Sequence, residues 1–410
     1  MSLPIVIVGG GTAGSTVALQ LATATSRPIV VCEPGGVSHL DDEPRFFDVL
    51  ENTHQFRHED VQFQDRTFAY TQACVVGGGS AINGMLLTGA QPLYVEGLTS
   101  VPTEDDMGDI SRALLSSGGR ACQLWWNNGR WNPGRALVHL VEEGRVQWER
   151  DSVVRLHHSN GVVSAVELKT SVIETDCVVL AAGALGSPRL LLNSGFGEVC
   201  PSIGDGVQDH PSISFSLSRS LNNMGQFDAT VVKDLYGENN AVGLMVGYER
   251  LSARNSDTGL VSVLLMNPES RGEITTTSDG FSIDLGLLKT ARDVRAMRQL
   301  VRQAVAVLQG DSFANVAHDI TAGVGGISLS GLSGMNDHDL DHWILREVLP
   351  VSHVSSSLAS SVYESGQLLG ASGVVVADAS VLPYVPHETP AAAVTMEARR
   401  IGQRLGEKLA

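Results

Sequence analysis

The sequence predicts an α/β protein in two parts. One part is a domain of parallel strands alternating with helices, and the other is an α+β domain built on an antiparallel sheet. Three observations carry that reading. A Val/Ile-rich run near the N-terminus leads through clustered glycines into a helical pattern. The same order of strand, small-residue turn and helix recurs at 178–192. Between 212 and 330 several strand-like runs follow one another, as in an antiparallel sheet.

The first run, Ile5-Val6-Ile7-Val8, reads as a buried parallel strand because it is apolar at every position. Gly9, Gly11 and Gly14 follow with G-x-G-x-x-G spacing. Gly9 permits a tight turn, Gly11 lets backbone approach a pyrophosphate, and Gly14 lets helix pack on strand. Thr12 and Ala13 open the helix, where free N–H groups and the dipole favour phosphate. A second strand, Pro28-Ile29-Val30-Val31-Cys32, ends in Glu33, 19 residues after Gly14. An acid there can bind the ribose hydroxyls of an adenosine. The pattern is Rossmann-like, and by itself it does not distinguish FAD from NAD.

At 410 residues the chain has room for two domains. It is 43% hydrophobic and 18% charged, the balance of a globular protein. A formal charge of −17 argues against nucleic acid and against an anionic membrane surface as partners. The five cysteines, Cys32, Cys74, Cys122, Cys177 and Cys200, show no C-x-x-C pair and read as reduced core residues. The first strand begins almost at Met1, which leaves no room for a signal peptide. No apolar run reaches the roughly 20 residues of a membrane span. The expectation is a soluble cytoplasmic protein.

Residues 39–70 are polar and weakly periodic, and read as a surface excursion. His54 and His58, four apart, could share a helix face, but no third ligand stands beside them. Next comes Gly77-Gly78-Gly79-Ser80-Ala81-Ile82-Asn83-Gly84-Met85. A second glycine cluster beside Ser80 and Asn83 implies backbone close to a ligand with two side chains able to hydrogen-bond it. Trp125, Trp126 and Trp131 form either a packing patch or a substrate wall, with packing preferred. Residues 135–143 read as a short helix, and Asn160-Gly161 between apolar runs reads as a hairpin turn. In 178–192, Ser187-Pro188 suits helix N-cap and N1 positions.

In the second half, 241–248, 259–266 and 280–287 read as strands and 290–308 as an amphipathic helix. His338 and His342 stand at i, i+4, but Asn336 or Asp337 as a cap explains that segment better than a metal. Three C-terminal stretches remain: Val348-Leu349-Pro350-Val351-Ser352-His353, then Val376-Ala377-Asp378-Ala379-Ser380-Val381-Leu382-Pro383, then a helix from Pro390 to the end with Thr389 as N-cap.

Taken in order, these motifs resemble the glucose–methanol–choline (GMC) oxidoreductase family. The segment 77–83 is similar to G-G-S-S-x-x-N, with Gly79 in place of the first Ser. The segment 203–211 is similar to V-G-x-N-L-x-D-H, and 376–383 to V-x-D-A-S-x-x-P. His353 stands at the H of H-x-x-G-T, although Ser356 and Ser357 replace G-T and the following M-G is absent. The resemblance implies a Rossmann-like FAD-binding domain from 1–90, 135–210 and 366–410, and a substrate domain from 91–134 and 211–365. It implies FAD contacts at Gly9, Gly11, Thr12, Ala13, Gly14, Glu33, Gly78, Ser80, Asn83, Met85, Val153, Ala182, Gly183, Asp378, Ala379, Pro390 and Ala391. Some members tether FAD through a His before the Asn; Ile82 here implies non-covalent FAD. His210 is read as structural, opening the passage into the substrate domain.

The implied reaction is oxidation of an alcohol of a small substrate by hydride transfer to flavin N5, with neutral His353 as base. The position that usually carries a second catalytic His or Asn is Thr389, with His387 two residues earlier. Either could orient the substrate oxygen. That departure also permits a non-redox, lyase-like member. A pyridine-nucleotide enzyme leaves the second glycine cluster and the D-A-S motif without a role. The electron acceptor, oxygen or a redox partner, is left open.

Overall fold

The computed structural model describes residues 2–52, 56–63, 66–89 and 99–410. The strand Ile5–Val8 lies at the centre of a five-stranded parallel sheet. Its order is Val374–Val376, Cys177–Leu180, Ile5–Val8, Ile29–Cys32, Gln147–Glu149. The three inner strands are buried at every position, which is why they read as unbroken apolar runs rather than alternating ones. The helices Thr12–Ala24 and Ala391–Leu409 pack against each other through small residues. A Cβ on Gly406 would sit 2.6 Å from that of Ala24, so the close approach requires glycine.

A three-stranded antiparallel sheet, Val153–Ser159, Val162–Leu168 and Val172–Glu174, leads back to the parallel sheet. Asn160 and Gly161 take φ of +49° and +81°, the paired left-handed conformation of a tight hairpin turn.

The second part is an eight-stranded antiparallel sheet whose main path runs Ile327–Ser328, Ala317–Ala322, Pro211–Arg219, Thr258–Leu265, Val242–Tyr248, Val231–Tyr236, Arg120–Ala121. Leu349–Pro350 pairs with the start of Pro211–Arg219. The helix Ala291–Leu308 covers this sheet, and Thr290 caps it by accepting from the Asp293 amide. Asn336 caps Asp337–Glu347 in the same way, so the segment bearing His338 and His342 is a capped helix. Among the described residues no cluster of three His, Cys, Asp or Glu could hold a metal. No described helix is long and apolar enough to cross a membrane.

Three expectations are corrected. The polar stretch 39–70 holds a helix, Phe46–Asn52, and most of a hairpin, Phe56–Phe63 with Arg66–Ala73. His58 is therefore on a strand, beside Thr71, and shares no helix face; His54 lies outside the described residues. The hairpin joins a five-stranded sheet with Asp205–Val207, Gly272–Thr277 and Gly280–Asp284, and buries only Val61, Phe63 and Tyr70. Ser187-Pro188 does not begin a helix, because Gly183–Asn193 starts earlier and contains Pro188. Pro188 has no N–H for the Ala184 carbonyl, and the Ser357 hydroxyl donates to that carbonyl instead, at 2.5 Å. Thr389 does not cap the last helix: Pro390 is the cap residue, and the Thr389 hydroxyl donates to the Leu86 carbonyl at 2.6 Å.

Candidate dinucleotide cradle and active site

The two glycine clusters meet face to face. Gly77 N–H donates to the Gly10 carbonyl at 2.9 Å. The Thr12 hydroxyl lies 3.1 Å from the Gly77 carbonyl and 3.0 Å from Ser80 Oγ, and Ser80 Oγ donates to the same carbonyl. A Cβ on Gly14 would sit 1.8 Å from the Gly9 carbonyl oxygen, and one on Gly9 2.5 Å from that of Ala181. Both positions are glycine for close packing. Gly11 is different. Its φ of −73° suits any residue, and a Cβ there would meet nothing closer than 3.6 Å. The helix it opens has no acid in its first turn and no side-chain cap, so its first N–H groups are available to an anion. This cradle fits a dinucleotide pyrophosphate.

Glu33 ends the second strand, almost fully buried. One carboxylate oxygen accepts from Gly10 N–H at 2.9 Å and the other from Gly35 N–H at 2.8 Å. A cleft of about 560 Å³ opens beside it, bounded by Pro34, Gly35, Phe56, Cys74, Trp148 and Arg150 among others. The Trp148 indole N–H donates to the Glu33 carbonyl at 2.9 Å, and the Arg150 guanidinium stacks 5.2 Å from the indole ring. Trp148 and Arg150 are absent from the sequence-based set, since no motif marks them. Val153 lies four residues past the Trp148–Glu149 strand end, at the start of the next strand.

Asn83 turns its side chain inward along the chain: Oδ1 accepts from Met85 N–H at 3.0 Å, supporting a left-handed Met85 with φ of +61°. Arg130 donates to the carbonyls of Asn83 and Glu43. Its burial pushes its pKa down to about 10. Trp125 stacks on Trp131 at 4.8 Å and Trp126 meets Phe227 edge-on, which makes this cluster packing.

Asp378 joins two turns at the ends of neighbouring parallel strands. One oxygen accepts from Gly183 N–H at 2.8 Å and Ser187 Oγ at 2.5 Å; the other accepts from Ser380 N–H and Oγ. Burial raises its pKa. The carboxylate thus holds Ala182-Gly183 beside Ala379. The last helix begins at Ala391 with no side-chain cap and no acid in its first turn, again presenting a positive N-terminus.

The structure brings His353 to His210. Their Nδ1 atoms are 2.9 Å apart with the rings nearly perpendicular. Asp209 anchors the segment by accepting from His353 N–H at 3.0 Å and from the Tyr70 hydroxyl at 2.8 Å, while that hydroxyl accepts from Val354 N–H. Ser352 and Ser356 flank this stretch with φ of +64° and +73°. Burial pushes the His353 pKa down to about 4 and that of His210 well below the ordinary value, with His353 a further cause for His210. Both rings are therefore neutral near pH 7. His387 is exposed, stacked 5.3 Å from Tyr384. Thr389 is tied to Thr88 and Leu86. No hydrogen bond joins either to His353 among the described residues. Tyr70, Asp209 and the contact to His210 were missed from sequence because they are 139 to 284 residues from their partners.

A parallel sheet with two facing glycine loops, and a half-buried neutral His beyond them, defines a dinucleotide-binding oxidoreductase class. Two GMC oxidoreductase family models match, over residues 147–212 and 268–398. The chain belongs to the GMC oxidoreductase family, of which FAD is the typical cofactor. It is 24% identical to pyranose dehydrogenase 2 of Leucoagaricus meleagris over 283 residues, covering 51% of this chain and 46% of that protein. It is also 24% identical to 5-(hydroxymethyl)furfural oxidase of a Methylovorus species over 305 residues, covering 63% and 56%. The chain thus spans about half the length of these curated relatives. Its fold is that of a solved pyridoxine 4-oxidase (described as from Mesorbium loti), with a TM-score of 0.83 at 18% identity over 98% of this chain and 99% of that one.

Proposed function

We propose that the protein oxidises a C–OH group of a small substrate with FAD as its redox cofactor and His353 as the base. The observation that carries this is the half-buried, neutral His353, held by Asp209 and His210. The relatives support the reaction class, being named as a sugar dehydrogenase, a hydroxymethylfurfural oxidase and a pyridoxine oxidase.

FAD would be held by Gly11, Thr12 and Ala13 at the pyrophosphate, Glu33 at the ribose, and Gly78, Ser80 and the backbone near Asn83 and Met85 along the flavin. Ala379 and the N-terminus at Pro390-Ala391 would complete the set. When bound, FAD supplies the two-electron acceptor for the carbinol hydride. His353 takes the hydroxyl proton on a ring nitrogen, which requires the neutral ring that burial maintains. The helix N-terminus at Ala391 favours negative charge near it. His387 and Thr389 stand as the candidates for orienting the substrate oxygen. Ile82, which cannot form a histidyl link, supports non-covalent FAD. Five unpaired cysteines support a reducing, cytoplasmic setting.

The test is the visible spectrum of the purified protein, followed anaerobically as primary, secondary and sugar alcohols are added. Bleaching of a flavin spectrum by one of them is the expected result. A bound flavin that no alcohol bleaches would move the reading to the non-redox, lyase-like alternative.

A further inference from the structure

The His210 ring has two partners at 2.9 Å, His353 Nδ1 and the Pro386 carbonyl, with the Met266 carbonyl a further polar neighbour, and the chemistry of the two near partners fixes where its proton lies. Its Nε2 is 2.9 Å from the Pro386 carbonyl oxygen. A carbonyl only accepts, so Nε2 carries the hydrogen. The ring is fully buried, and among the described residues no carboxylate accepts from it, so it holds a single proton. Its Nδ1 is then a bare lone pair, and 2.9 Å away stands Nδ1 of His353. Two lone pairs would repel at that distance, so the hydrogen between them belongs to His353. A neutral His353 with its proton on Nδ1 has Nε2 unprotonated. No described residue hydrogen-bonds that nitrogen.

We infer that His210 is a positioning residue that sets the tautomer of His353, holding Nε2 of His353 as the ring's proton acceptor. The relay runs in one direction: His353 Nδ1–H to His210 Nδ1, and His210 Nε2–H to the Pro386 carbonyl. Asp209 fixes the other coordinate. It accepts from the backbone N–H groups of both histidines, at 2.7 Å from His210 and 3.0 Å from His353, so both rings hang from one carboxylate. The functional consequence rests on the proposal that His353 is the base; the tautomer itself does not.

The experiment has two readouts. In holoenzyme labelled with ring-¹⁵N histidine, the resonances of His353 and His210 are identified by their loss in His353→Gln and His210→Asn. At neutral pH the inference expects His353 protonated at Nδ1 and bare at Nε2, with His210 the reverse. His353 protonated at Nε2 would overturn it. The second readout is the rate of flavin reduction. His210→Gln can still donate to Pro386 but places no acceptor at the Nδ1 position, and is expected to slow reduction roughly tenfold or more. His210→Asn keeps an oxygen acceptor there and is expected to restore most of the rate. Equal rates in all three proteins, or equal losses in both variants, would overturn the positioning role. If His353→Gln leaves reduction intact, the base assignment fails, while the ¹⁵N spectrum still decides the tautomer.

Discussion

Gly11 and Gly14 belong to one motif, yet the structure separates their reasons for being glycine. Gly14 is required by the fold, since its Cβ would overlap the Gly9 carbonyl. Gly11 has room for a Cβ and an ordinary φ, so only a ligand explains it. Gly11→Ala is therefore expected to fold with an unchanged thermal midpoint in the apoprotein and to bind FAD at least about tenfold more weakly, a loss of about 1.4 kcal/mol by fluorescence titration. His353 gives a pH prediction. Burial among Asp209, Tyr70 and His210 lowers its pKa from the usual imidazole range to about 4. A base works unprotonated, so flavin reduction should hold steady as pH falls through 6.5 and decline only toward about 4. An acid limb near 6.5 in the pH profile of the reduction rate would contradict the lowered pKa of His353. In the sequence, His353 was visible only through the order of neighbouring motifs. The chemistry of its first partner was not visible, because His210 is 143 residues away.

At the scale of elements, strands and helices with unbroken or periodic apolar runs were legible. Ile5–Val8, Cys177–Leu180 and Ala291–Leu308 fall within a residue or so of where the pattern puts them. The hairpin Phe56–Phe63 with Arg66–Ala73 was not, because most of its side chains are polar and only three of its residues are buried, which leaves little apolar alternation. Pro188 misled for a physical reason. Proline normally marks a first turn, but a side chain from a distant segment can replace the hydrogen bond that proline forfeits. The Ser357 hydroxyl does so for the Ala184 carbonyl. Ser357→Ala leaves that buried carbonyl unpaired and is expected to destabilise the protein by about 1–3 kcal/mol in urea unfolding of the holoprotein.

Across the whole molecule, the parallel sheet draws its strands from 5–32, 147–180 and 374–376, so the ends of the chain meet beside the first glycine turn. This was legible because each return carries its own small-residue turn. What the motifs could not show is how the two parts are tied. Tyr70, from the hairpin, meets Asp209 at the entrance to Pro211–Arg219, and Asp209 in turn holds His353. Hairpin, antiparallel sheet and the segment bearing His353 thus converge on one buried carboxylate, whose pKa burial raises to about 6. Tyr70→Phe removes one of its donors and is expected to lower stability by about 1 kcal/mol or more, read as a lower urea midpoint.

The central claim is that His353 removes the substrate proton at the flavin site. It is tested most directly by anaerobic stopped-flow reduction of His353→Ala beside the unaltered protein, with FAD content measured in both. The expected result is equal FAD content and a rate of flavin reduction lowered by about 10²-fold or more. A variant that holds FAD and reduces it at the unaltered rate would contradict the account.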